Sequence, residues 1–255
     1  MRLTTLGTGT ISLSAHRVCA GHLVQAGAVR LLMDCGSGVT HRLAQQGTGW
    51  RDITHVAFTH FHLDHVADFT SLMFAWKYAD RPGRIAPLAV VGPAGTADLL
   101  CRMADACGDW MRAPGFDVAV TEMAPDGAMD LGDGVTLSAT KVPHTAESVA
   151  YSIVRGRARI VYTGDTGYDP MFGEWARGTD LLLCECSLPS DLAIAEHLTP
   201  GECGALAAAA LPKHLVLTHF YPPVEHTEVR AAIAAHYAGP VTLAVDGSEF
   251  DIEEG

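Results

Sequence analysis

From Thr59 to His65 the chain reads Thr-His-Phe-His-Leu-Asp-His, three imidazoles and a carboxylate within six residues. Imidazole nitrogens and carboxylate oxygens are the ligands of zinc and its first-row neighbours. One tetrahedral ion rarely takes four ligands from a single short loop. The spacing therefore suits two adjacent ions, each completed from elsewhere in the chain. A solvated polar loop, or histidines hydrogen-bonded in the core, is the competing reading. It fits a lone histidine far better than this cluster.

The remaining polar candidates recur at one kind of place, just past an apolar strand. Leu31-Leu32-Met33 precedes Asp34, and Val56-Ala57-Phe58 precedes the histidine cluster. Thr140 to Pro143 precedes His144, Ile160 to Gly164 precedes Asp165, and Leu215 to Thr218 precedes His219. In layered α/β proteins, strand ends project side chains into a common crevice. Five segments that end alike point to one convergent site.

Hydrophobic patterning supplies the elements beneath them. It predicts strands over 3–6, 21–25, 28–33, 53–58, 86–91, 117–123, 134–142, 148–154, 157–163, 181–184, 214–218 and 241–245. Helices are expected over 39–46, 66–78, 95–106 and 227–236, with a loop over 109–115. Another opens at the capping box Thr199-Pro200-Gly201-Glu202 and runs to Leu211. Hairpins interspersed among strand–helix pairs fit two mixed sheets flanked by helices better than one parallel sheet. No linker or repeat divides the 255 residues, so a single domain is expected. Its two halves, about 1–125 and 126–255, each carry strands followed by helices.

Taken in order, Thr-His-Phe-His-Leu-Asp-His, Pro143-His144-Thr145, Thr163-Gly164-Asp165-Thr166 and Leu217-Thr218-His219-Phe220 resemble the metal motifs of the metallo-β-lactamase superfamily. The resemblance implies the four-layer αββα sandwich with a dinuclear site between its sheets. It implies that His60, His62 and His144 hold one ion, that Asp64, His65 and His219 hold the other, and that Asp165 bridges them. Asp34 matches an early aspartate that supports the histidine loop. Within the superfamily the chain is most similar to the ribonuclease Z and small phosphodiesterase branch. Glu185 and Glu196-His197-Leu198-Thr199 resemble that branch's additional Glu and His, which aid leaving-group protonation. Asp64, His197 and Glu185 are thus the candidate catalytic residues. His197 also stands two residues before a helix start, where the dipole and free N–H groups favour an anion such as phosphate.

The implied reaction is hydrolysis of a small or terminal phosphodiester by a metal-bridging hydroxide. Lactone, ester or thioester hydrolysis by the same site is the alternative, and a non-catalytic metal-binding regulatory module is the reading of another class. Zinc is the default ion, and manganese or iron also suits His and Asp ligands. Transfer-RNA-processing members carry a long basic arm between the fourth histidine and the bridging aspartate; here residues 145–164 leave room only for a hairpin. With a net charge of −12, a long nucleic acid is not the expected partner. A small anionic molecule is, and dimers are common in the resembling branch. Exported β-lactamases usually have cysteine where Asp165 stands, and flavodiiron relatives need a further flavin domain.

Seven scattered cysteines read as buried free thiols of a reducing cytoplasm, Cys184 and Cys186 among them as core packing. No apolar run of membrane-spanning length and no secretory leader is visible, so a cytoplasmic location is expected. The aromatics of 69–78 and the loop around Trp110 are candidate pocket walls as well as core, and Lys77 could meet an anion.

Overall fold

The structure, a computed structural model, describes residues 1–47 and 49–254. Up to residue 122 the order is β1 (Arg2–Gly7), β2 (Gly21–Ala26), β3 (Val29–Met33), α1 (Val39–Gln45), β4 (His55–Ala57), α2 (Leu63–Val66), α3 (Phe69–Tyr78), β5 (Leu88–Gly92), α4 (Thr96–Cys107), α5 (Asp109–Arg112) and β6 (Val118–Glu122). From residue 128 it continues with β7 (Ala128–Gly132), β8 (Val135–Lys141), β9 (Val149–Arg155), β10 (Ala158–Tyr162), α6 (Pro170–Trp175) and β11 (Leu181–Glu185). Then come α7 (Pro200–Ala210), β12 (His214–Thr218), α8 (Val229–Ala234), β13 (Val241–Leu243) and β14 (Ser248–Asp251).

The strands form two seven-stranded sheets, ordered β14-β1-β2-β3-β4-β5-β6 and β13-β12-β11-β10-β9-β8-β7. Each begins with antiparallel hairpins and finishes with three parallel pairings, β3 to β6 in one and β10 to β13 in the other. Alternation along the strands separates three apolar layers. Leu3, Val24, Leu31 and Met33 meet Tyr151, Ile160, Leu183 and Val216 between the sheets. On the outside, Leu32, Val56 and Val90 pack against Leu43, Phe69 and Trp76 of α1 and α3. Leu182, Leu215 and Leu217 pack against Phe172, Leu206 and Ile233 of α6, α7 and α8. The architecture is the four-layer αββα sandwich of two mixed sheets.

Several boundaries depart from the expected ones. The helix expected over 66–78 is broken at Ala67-Asp68. There the Asp68 carboxylate accepts from the Gly38 and Thr40 N–H groups at 2.9 and 3.0 Å, capping α1, whose own N-cap is a glycine. Residues 109–112 form a short helix where a loop was expected. Strands β7 and β14 and helix α6 were not expected at all. Strand β14 leaves the C-terminal part of the chain to pair antiparallel with β1. The capping box at Thr199 and Glu202 is present, with α7 ending at Ala210. Among the described residues no helix is long and apolar enough to cross a membrane.

Candidate metal centre

Strands β3, β4, β8, β10, β11 and β12 end at the same rim, and the polar residues sit on the turns that follow them. Asp34 and His219 adopt left-handed backbone, φ 57° and 58°, and Gly164 does so immediately before Asp165. These sharp turns swing the side chains back over the space between the sheets. Closely fitted neighbours hold the turns: a Cβ on Gly36 would lie 1.9 Å from the Asp64 carbonyl oxygen.

All seven expected ligands converge. One group of ligand atoms comprises His60, His62, His144 and Asp165; another comprises Asp64, His65 and His219; within each, the atoms lie within 4.8 Å of one another. Asp165 joins the two. Its Oδ2 lies 3.7 Å from both His60 Nε2 and His144 Nε2, and its Oδ1 lies 3.2 Å from His65 Nε2 and 3.3 Å from His219 Nε2. His219 Nε2 is also 3.5 Å from Asp64 Oδ2.

The outer hydrogen bonds fix which nitrogen each ring presents. His65 Nδ1 donates to Asp34 Oδ2 at 2.8 Å, and His144 Nδ1 donates to the Glu196 carbonyl at 2.9 Å. His60 Nδ1 lies 3.1 Å from Thr59 Oγ1, whose proton goes to Asp34 Oδ2 at 2.9 Å. Tyr162 also donates to Asp34 Oδ2 at 2.9 Å. His219 Nδ1 faces Ser187 Oγ at 2.9 Å. Each of these rings therefore turns a bare Nε2 inward, whereas His62 offers Nδ1, 3.1 Å from His144 Nε2.

The donor set fits a pair of divalent ions. His60 Nε2 and Asp165 Oδ1 are buried and have no hydrogen-bond partner among the described residues, a costly arrangement unless they bind a cation. Burial drives the His60 pKa well below its ordinary value, so the ring is a neutral, ligand-ready imidazole.

Beside the centre lies the expected Glu–His pair. His197 Nδ1 is 2.9 Å from Glu185 Oε1, and Glu185 is fully buried at the end of β11. Burial pulls the His197 pKa down, but the Glu185 hydrogen bond and charge raise it to about 9. Alternation along β11 points Glu185 between the sheets. Cys184 and Cys186 point the other way, into the α7 core with Cys203.

Other expectations are corrected. The α7 N-terminus is already served by its own Thr199 and Glu202, so it offers no free, uncharged cradle for phosphate. Phe69, Leu72, Met73 and Trp76 are core beneath α3. Phe74 meets Tyr78 at a tilt and Trp110 edge-on at its outer side, with no ring contact to the centre among the described residues. Lys77 donates to the Ala113 carbonyl rather than awaiting an anion. Ser187, and the relay role of Thr59, escaped the sequence reading. The signal for Ser187 was slight, a hydroxyl two residues after Glu185 at a strand end.

Fold and centre together define a metallo-β-lactamase-fold hydrolase. Residues 29–220 match the beta-lactamase superfamily domain, and the chain belongs to that family. It is similar to the ribonuclease Z of Mycobacterium marinum, 29% identical over 273 aligned residues that take in 96% of each chain. It is similar in structure to the metallo-beta-lactamase fold protein YhfI from Bacillus subtilis, with a TM-score of 0.85, 25% identity and 98% of both chains covered. The short form of human tRNase Z superposes with a TM-score of 0.80 at 22% identity, covering 99% of this chain and 100% of the other. The chain is a metal-dependent hydrolase related to ribonuclease Z.

Proposed function

We propose that the chain is a dinuclear phosphodiesterase acting on a small or terminal phosphodiester. In this reading His60, His62 and His144 hold one ion, Asp64, His65 and His219 hold the other, and Asp165 is shared. When bound, such a pair of ions supplies Lewis acidity and an activated water. Zinc is the first choice for this imidazole-rich set, with manganese or iron as the alternatives. All seven cysteines are free, in keeping with a reducing, cytoplasmic setting, although Cys101 and Cys107 are exposed rather than buried as expected. The chain is read as one domain, because Asp165, His144 and His219 come from one half and His60 to His65 from the other.

The observation that carries the substrate class is the Glu185–His197 pair, whose His197 ring nitrogen lies within 4.8 Å of ligand-type atoms of Asp165 and His219. Against burial, the Glu185 hydrogen bond and charge raise the His197 pKa to about 9, which favours a proton on the ring. His197 can hand that proton to a departing alkoxide, the hard step for an unactivated phosphodiester. A thiolate leaves unaided, so a thioesterase has no use for the pair.

The test is metal analysis followed by turnover of phosphodiester, lactone and thioester substrates. The diester is expected to turn over fastest. His60→Ala and Asp165→Ala should lose metal and activity together. His197→Ala should keep its metal and lose about 10²- to 10⁴-fold in rate on alkyl diesters. A lactone turned over faster than any diester would reject the proposed substrate class.

A further inference from the structure

His219 and the proton-donating pair are joined through one buried hydroxyl. His219 turns Nε2 toward Asp165 and Asp64, and with Nε2 given to an ion as proposed above, Nδ1 carries the hydrogen and donates to Ser187 Oγ at 2.9 Å. Ser187 is fully buried and has a single proton to give. Its acceptors are Glu185 Oε2 and, at 3.2 Å, the His219 carbonyl. A carboxylate is the stronger acceptor, so the proton goes to Glu185. Glu185 Oε1 accepts the Thr166 N–H at 2.6 Å and Oε2 the Leu198 N–H at 3.2 Å. Its remaining side-chain partner is His197.

The other sheet carries the same device. Thr59 follows β4 as Ser187 follows β11, and its hydroxyl relays His60 Nδ1 to the Asp34 carboxylate. There the carboxylate goes on to His65 and Tyr162. In the second sheet it goes on to His197 instead.

We infer that Ser187 is a positioning residue that ties the His219 metal position to the aim of His197, so that one hydroxyl orients both a ligand ring and the leaving-group acid. The inference rests on the metal assignment proposed above. Without the hydroxyl, the His219 ring loses the partner that fixes its tautomer, and Glu185 loses one of the donors that hold its plane toward His197.

The experiment compares Ser187→Ala and Ser187→Thr with the native chain. Metal-free protein is titrated with zinc in competition with a chromophoric chelator. Turnover is then measured on two phosphodiesters, one releasing p-nitrophenolate and one releasing a simple alkoxide. Ser187→Ala is expected to weaken one zinc equivalent by about 10- to 100-fold and leave the other unchanged. It should also slow the alkoxide substrate by at least about tenfold more than the nitrophenolate one, which needs little protonation. Ser187→Thr, which restores a hydroxyl, should recover most of both losses.

Native zinc binding in Ser187→Ala, or a rate loss equal for the two leaving groups, overturns the linkage, because a packing role alone would produce either. Should Ser187→Ala not fold, Ser187→Cys keeps the volume while weakening the hydrogen bonds and carries the same test. Asp165→Ala in the same titration separates the two ideas. If it binds both equivalents, the metal assignment itself fails. If it loses metal while Ser187→Ala is silent, only the linkage fails.

Discussion

At the scale of single residues, the centre was legible wherever the chemistry of a side chain is rare away from sites. Histidines and aspartates at the ends of apolar strands are expensive to keep unless they bind something, so His60, His62, Asp64, His65, His144, Asp165 and His219 stood out. Ser187 did not, because a serine at a strand end is ordinary and only the geometry reveals its two partners. His22 lies between these cases. It is fully buried on β2, edge-on to Tyr162 at 4.8 Å, and neither ring nitrogen has a partner among the described residues. Burial, assisted by His65 and His219, lowers its pKa to about 3. An unfolded histidine titrates near 6.5, so between these values the unfolded chain binds the extra proton. Stability contributed by the neutral ring is full above pH 6.5 and is lost as the pH falls. Between pH 7 and pH 5 the native chain should therefore lose about 2 kcal/mol more than His22→Phe. Urea unfolding of the metal-free proteins at the two pH values measures this, and parallel losses would mean that His22 is already protonated when folded.

At the scale of elements, long periodic segments were read well and short ones were not. The β2–β3 and β9–β10 hairpins, the strands of the parallel runs and α7 with its capping box came through because pattern and punctuation agree there. Helices α5 and α6 span only 4 and 6 residues, too few for a helical period to show. Strand β14 reads Ser-Glu-Phe-Asp and becomes a strand because β1 offers it an edge. The break between α2 and α3 arises from Asp68 serving another helix, which no local pattern can announce. The turns that carry the ligands are demanding in a different way. Gly164 has φ 58°, and a Cβ there would lie 2.8 Å from the Thr59 Cβ, the residue that relays His60 to Asp34. Gly164→Ala should cost about 1–3 kcal/mol of stability through the left-handed backbone and the contact. It should also weaken zinc binding by moving both Thr59 and Asp165. Melting and chelator competition on the same preparation check the pair, and a variant that melts lower with native zinc affinity would show that the turn serves folding alone.

At the scale of the whole molecule, the two sheets repeat one plan of hairpins followed by three parallel steps, and the centre lies where their rims meet. The plan was only hinted at in the sequence, since β14 crosses back to complete the first sheet and the two halves share no evident identity. The interval between His144 and Asp165 is taken up by the β9–β10 hairpin turning at Gly156, so no arm projects from this part of the rim. Nearby cations are also committed. Lys141 donates to the carbonyls of Val142, Thr145 and Ser148, while Arg17 is held by Glu225, Thr8 and the Ala244 carbonyl. With a net charge of −12, the surface lacks the excess of cations that gives a phosphate backbone its grip. A protein making several phosphate contacts loses affinity by orders of magnitude between about 50 and about 200 mM salt as counterions compete. A small diester bound through the centre makes few such contacts. Over that range, kcat/KM for the small diester should therefore change by less than about threefold, and a structured precursor tRNA should show no saturable binding at the higher salt. Steady-state kinetics and filter binding at both salts decide the matter: steep salt dependence with tight tRNA binding would return the chain to RNA processing and require a basic surface elsewhere on the fold.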